Sequence, residues 1–462
     1  MLNPGPTVAE ILASHESGSG SPTHTAARVA DAIAARGEDG TWITPVPREQ
    51  LLADAAEIER RPGARMLPLY GVPFGVKDSI DVAGWPTTLA CPDFAYVATE
   101  TAPAVQRLLD AGALFVGKTN LDQFATGLNG TRTPYPIPRS VFGGDLISGG
   151  SSSGSAKAVA LGEVPFCVAT DTAGSGRVPA ALNGIVGWKP SRGLISTVGL
   201  VPACKSLDCL TLMATTVEDL DRVFEVIAGV DPGDPWSRAR GPRFAGGRLR
   251  VGLPAEPELE FFGDETFHAA HLGVRDRLTR LGFDCVATTL QPFLDAGTLL
   301  YQGPWVAERL VEFETFLAEH PDSILPVIRE ILTSGFRFTA IDVFRAQQRL
   351  QELKAVVARR WADFDVMVVP TIGTTFTVTQ VQADPIRTNT VLGHYTHFGN
   401  LLDLTAIAVP VGTTSDGRPL SAMVFGPALA DDTVLAAAAR ILDEPRQLVA
   451  HSDIRLAQKD RR

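Results

Sequence analysis

The chain has 462 residues, 45% of them hydrophobic, and a formal net charge of −11. It can bury a large core, and its charge excludes nucleic acid or an anionic membrane as the main partner while leaving room for a local basic pocket. Five cysteines (Cys91, Cys167, Cys204, Cys209, Cys285), odd in number and without a C-x-x-C pair, read as free buried thiols. No apolar run reaches the roughly 18 residues of a membrane span. The start of the chain lacks a basic n-region and an apolar h-region. The expected location is therefore cytoplasmic, and no metal or cofactor is expected.

Residues 1–65 predict a helical lead-in, with helices over 7–14, 25–36 and 48–60. A buried strand follows over 69–78 and carries Lys77. A helix at 101–111 precedes a strand at 113–118. Pro134, Pro136 and Pro138 then forbid regular structure and mark a long ordered loop. A helix over 155–162, a strand over 164–170 and a helix over 215–228 lead to a Pro/Gly/Arg-rich linker at 231–247. Beyond it, strands are expected at 249–253, 283–289, 366–370, 406–411 and 422–425. Helices are expected at 265–281, 300–320, 340–364 and 432–442. This alternation predicts an α/β fold: a single large domain over 66–445, with a central mixed β-sheet covered by helices on both faces. The linker joins two halves of one sheet, and 446–462 is a polar tail.

Two turns packed with serine and glycine stand out, Gly149–Ser155 and Thr172–Gly176, with Ser151 and Ser175 24 positions apart. Glycine beside serine lets backbone N–H groups converge on a ligand, which suits acyl transfer through a hydroxyl nucleophile and an oxyanion hole. The first turn is not a phosphate loop, because no G-K-[ST] follows it. The second is not a G-x-S-x-G elbow, because Ala173 and Arg177 stand where the glycines belong. No histidine lies between His24 and His268, so the base nearest these turns is Lys77, set in an apolar strand. Desolvation there would lower its pKa and let its neutral amine take a proton. The plainer reading, that Lys77 pairs with Asp78 or Asp81, stays open on the local pattern alone.

Gly149–Ser155, Asp171–Ala180, Gly187–Trp188–Lys189–Pro190, Gly71–Asp78 and Gly117–Asn120 together resemble the amidase signature family over nearly the whole chain. The resemblance implies a Ser–cis-Ser–Lys triad, with Ser175 as nucleophile, Ser151 as the bridging serine after a cis peptide, and Lys77 as general base. It also implies an oxyanion hole from the backbone N–H groups of Thr172, Ala173, Gly174 and Ser175. Asp171 and Arg177 are expected to brace that loop.

Within the family, Asn120–Pro134, Val201–Cys209 and Tyr301–Arg309 are similar to the allophanate hydrolase branch. That implies cleavage of the terminal amide of a small anionic substrate, as in urea or s-triazine nitrogen release. Tyr301 and Arg309 would bind the substrate carboxylate, and Gly127, Leu128 and Asn129 would complete the pocket. On one straight helix Tyr301 and Arg309 would lie about 12 Å apart, so they can face one pocket only if the helix breaks at Pro304 or the side chains reach toward each other. A plain surface pairing of Arg309 with Glu308 or Glu312 is the alternative. His397 stands where this branch is expected to carry Asn. A biuret hydrolase and the glutaminase component of a tRNA-dependent amidotransferase are the competing activities. A homodimer is expected, and the product is either released as N-carboxycarbamate, passed to a separate decarboxylating partner, or processed by a further domain of a longer protein.

Overall fold

The computed structural model describes residues 5–442. The expected polar tail, 446–462, lies outside the described residues. The strands are β1 (Trp42–Pro45), β2 (Pro73–Lys77), β3 (Pro86–Thr87), β4 (Tyr96–Val97), β5 (Leu114–Thr119), β6 (Phe166–Asp171) and β7 (Val186–Lys189). They continue with β8 (Cys209–Ala214), β9 (Arg250–Pro254), β10 (Asp284–Thr288), β11 (Val366–Pro370), β12 (Thr405–Thr413) and β13 (Pro419–Gly426). Strands β3 and β4 pair with each other; the other eleven form one sheet in the order β1-β5-β2-β6-β8-β7-β12-β13-β11-β9-β10.

The sheet is mixed. β2 runs parallel to both β5 and β6, and β9 parallel to both β10 and β11. The remaining pairs are antiparallel. Residues 231–247 carry no helix or strand, and the sheet continues across them through antiparallel pairing of β7 with β12, Trp188 opposite Ile407.

Strand sequences show why helices cover both faces. In β11, Val366 and Val368 join one apolar cluster while Met367 and Val369 join another. β13 divides in the same way, Ala422 and Val424 against Met423 and Phe425. Alternate residues point to opposite faces, so a strand apolar at every position must be covered twice. The helix Gln291–Tyr301 packs on the second cluster, and the helix Asp431–Leu442 on the first. Among the described residues no helix is long and apolar enough to cross a membrane.

The expected single helix over 300–320 is three pieces, Gln291–Tyr301, Trp305–Glu308 and Leu310–Glu319. Pro304 cannot donate to the preceding turn, and the chain bends there. Strands β1, β3, β4, β7 and β8 were not expected. β1 is four residues long and ends in proline.

Candidate active site

The parallel strands β2, β5 and β6 end side by side, and their carboxyl ends carry Lys77, Thr119 and Asp171. Ser151 and Ser175 lie in turns that open helices Ser153–Ala160 and Arg177–Asn183 above those ends. The Gly150–Ser151 peptide is cis. Lys77 Nζ lies 2.7 Å from Ser151 Oγ and 2.6 Å from Thr170 Oγ1, both as hydrogen bonds. Lys77, Ser151 and Ser175 are buried. Burial drives the Lys77 pKa down to about 7, against the opposing pull of the Asp122, Asp171 and Asp208 carboxylates. The amine is therefore a proton acceptor near neutral pH. The simple pairing of Lys77 with Asp78 does not occur: Lys118 Nζ takes Asp78 at 3.5 Å. Among the described residues the Ser175 hydroxyl has no hydrogen-bond partner, so its link to Ser151 is not closed here.

A buried ion pair holds the Ser175 turn. Arg177 Nε and Nη2 donate to the two Asp171 oxygens at 2.8 and 2.9 Å. The same carboxylate accepts the N–H groups of Gly174 and Gly176 at 2.8 and 3.0 Å. This corrects one expectation. The Gly174 N–H is committed to Asp171, and Thr172, Ala173 and Ser175 remain as the free donors among the four expected. Thr396 Oγ1 donates to the Ala173 carbonyl at 2.7 Å. Asn400 donates to the Asp171 carbonyl at 2.8 Å. Thr172 donates to Asp208, whose other oxygen accepts the N–H groups of Ala203 and Cys204. Burial pushes the Asp208 carboxyl up to about 6.

The bend at Pro304 brings Arg309 back beside Tyr301, its guanidinium 6.0 Å from the phenol ring. Arg309 is buried and donates to Thr126 Oγ1 at 2.8 Å. It is not a surface ion pair: Glu308 turns away to accept from the N–H and hydroxyl of Ser206. The segment 126–129 ties this cation to the serines, because Gly150 N–H donates to the Leu128 carbonyl at 2.8 Å. Asn389 holds the Leu128 N–H at 2.7 Å. The Asn129 carboxamide nitrogen is buried without a partner. Gly127 packs tightly; a Cβ there would meet Asp122 at 2.5 Å. His397 lies with its ring 5.0 Å from that of Tyr301, and burial drives its pKa down to about 3, so it is neutral.

Sequence reasoning missed Thr126, Thr170, Asp208, Thr396 and Asn400. Asp208 and Thr126 sit inside the motifs that carry the resemblance. The other three carry no local signal, because their partners lie on distant segments.

The arrangement is a buried proton acceptor, two hydroxyls, free backbone donors and a buried cation beside them. It can support acyl transfer on a small anion. The family model described as Amidase matches residues 28–435. The urea amidolyase of Saccharomyces cerevisiae is 40% identical over 408 residues, covering 87% of this chain and 22% of the yeast protein. The chain thus spans about a fifth of that relative's length. The glutamyl-tRNA(Gln) amidotransferase A-subunit from Lysinibacillus sphaericus is 32% identical over 415 residues, 82% of this chain and 84% of its own. Among solved structures, Kluyveromyces lactis allophanate hydrolase superposes with a TM-score of 0.89 at 37% identity, covering 95% of this chain and 72% of the other.

Proposed function

Since the chain belongs to the amidase signature family and is a hydrolase of amide C–N bonds, we propose that it cleaves the terminal amide of allophanate. Ammonia and N-carboxycarbamate would be the products. Arg309 carries this reading: a buried guanidinium with no carboxylate at ion-pair distance among the described residues, next to a phenol and the serine turns. Buried charges call for a partner, and a substrate carboxylate supplies one in two parallel hydrogen bonds.

The proton path follows from the amine's geometry. Lys77 Nζ lies within hydrogen-bond reach of Thr170 Oγ1 and Ser151 Oγ, and in its neutral form it can donate an N–H to Thr170 and offer its lone pair to Ser151. Lys77 takes the Ser151 proton, Ser151 takes that of Ser175, and Ser175 Oγ attacks the amide carbonyl. The N–H groups of Thr172, Ala173 and Ser175 hold the oxyanion, Tyr301 and Arg309 the carboxylate. Gly127, Leu128 and Asn129 line the pocket. The proton returns through Ser151 to the leaving nitrogen, ammonia departs, and water attacks the acyl-enzyme by the reverse relay.

Ammonia release from allophanate, biuret and glutamine, compared side by side, tests the reading. Allophanate should be the best substrate. Arg309→Ala should raise its KM by about a hundredfold, the loss of a charged double hydrogen bond. Faster turnover of biuret, or an unchanged KM, would sink it. A glutaminase has its own support in the near-full-length match to the Lysinibacillus amidotransferase component, and the glutamine arm decides that case.

A further inference from the structure

Arg309 is not the pocket's only cation. Arg132 is also buried, and both guanidiniums meet at one residue. Arg309 donates to the Thr126 hydroxyl at 2.8 Å, and Arg132 Nη1 donates to the Thr126 carbonyl at 2.9 Å. Arg132 Nη2 donates to the Pro385 carbonyl at 2.7 Å, and its Nε is buried without a partner.

Among the described residues neither cation has a carboxylate at ion-pair distance. The nearest acid to Arg132 is Asp122, and its oxygens are taken by the backbone N–H groups of Arg132 and Gly130 at 2.9 and 3.1 Å. The Arg132 side chain itself donates to carbonyls. Two buried like charges flank Thr126, and bringing like charges together in the interior costs free energy. Burial holds the Arg132 pKa down, against the pull of the Asp122 carboxylate and Tyr301, and Arg309 adds a smaller push in the same direction as burial. Such a pair is stable only where something else holds it, and an anion entering the pocket would relieve both charges at once.

We propose that Arg132 and Thr126 are positioning residues of the substrate pocket: Thr126 aims Arg309, and Arg132 adds a second positive charge that selects anionic amides over neutral ones. This rests on the reading of Arg309 as the carboxylate clamp. The hydrogen bonds to Thr126 and Pro385 fix the Arg132 head, so it acts through the field it adds and the loop it holds.

The test separates charge from scaffolding with two probes. Malonate binding measured by calorimetry reads the anion pocket. Inactivation by phenylmethanesulfonyl fluoride, an uncharged reagent, reads the nucleophile. Arg132→Met should weaken malonate by tenfold or more and leave the inactivation rate within about threefold, and Arg132→Lys should recover part of the affinity. Thr126→Val should raise KM for allophanate with little change in kcat. Unchanged malonate affinity in Arg132→Met overturns the inference, and so does an equal loss on both probes, which marks a structural role. If Arg132→Met fails to fold, Arg132→Lys and Thr126→Val carry the test. A wild-type enzyme that neither binds malonate nor hydrolyses allophanate instead overturns the functional reading itself.

Discussion

Lys77 and Ser151, 74 residues apart in sequence, meet at 2.7 Å inside the protein. The lysine arrives on β2 and the serine in the turn ahead of a helix, and both are cut off from solvent. Burial outweighs three nearby carboxylates and holds the ammonium pKa at about 7. A base must be uncharged to work. kcat/KM should therefore fall about tenfold per pH unit below pH 7 and level off above it. A pH profile checks this, and a flat profile from pH 5 to 8 would remove Lys77 as the base. Lys77→Arg should be inactive, because a guanidinium stays charged.

The same burial costs stability. The folded Lys77 pKa lies below the unfolded value of 10.5. Between about 7 and 10.5 the unfolded chain therefore binds the extra proton, and stability rises with pH across that window. At neutral pH Lys77→Met should be inactive yet more stable, by on the order of a few kcal/mol. Thermal melts of both proteins at pH 7 test the sign; a lower Tm for the variant would contradict it.

Much of the site was legible because its chemistry is local. The serine turns and the Lys77 strand carry unusual residues in short stretches. The break at Pro304 was one of two ways to bring Tyr301 and Arg309 together, and the structure takes it. What stayed hidden was tertiary. Thr396 reaches Ala173 across 223 residues and Arg309 reaches Thr126 across 183, and a threonine looks the same in any loop. Gly174 was misjudged for a related reason: its N–H could have faced a ligand, and only the folded position of Asp171 shows it spent. Strand β8 was missed although Cys209–Ala214 is an almost unbroken apolar run buried throughout. Its length and β-branched content did not separate it from a short helix.

Asp171 and Arg177 bind each other through two hydrogen bonds, and Asp171 holds two turn amides as well. Asp171→Asn keeps the shape but leaves the guanidinium buried without its counter-charge. A loss of about 3–5 kcal/mol is expected, together with a fall in kcat as the oxyanion loop loosens. Denaturant unfolding and steady-state kinetics measure the two effects. A variant of wild-type stability would mean the pair does not brace the turn.

Gly174 has φ +128°, and a Cβ there would lie 2.3 Å from Thr396 Oγ1. Thr396 cannot retreat without releasing the Ala173 carbonyl. Gly174→Ala should therefore shift the backbone that presents the Ala173 and Ser175 N–H groups. Losing one oxyanion donor in an enzyme costs about a hundredfold or more in kcat. With the carboxylate held at Arg309 as proposed, KM should change little. Kinetics of the purified variant decide: a raised KM with kcat intact would place the loop in binding instead.

Glu163 offers a test far from the serines. It is buried, accepts from Trp42 Nε1 at 2.8 Å and lies 3.2 Å from the half-exposed Arg36. Burial dominates, with a push from Asp39, and raises the carboxyl from 4.5 to about 7. Below pH 4.5 both folded and unfolded chains hold this proton, and its contribution is fully present. As pH rises the unfolded chain ionises first, so the contribution shrinks until the folded group also ionises near 7. The span corresponds to roughly 3 kcal/mol. Glu163→Gln keeps an acceptor for the indole and cannot ionise. It should match the wild type near pH 4.5 and exceed it at pH 8. Urea unfolding at the two pH values checks this, and equal differences at both would show that Glu163 titrates normally.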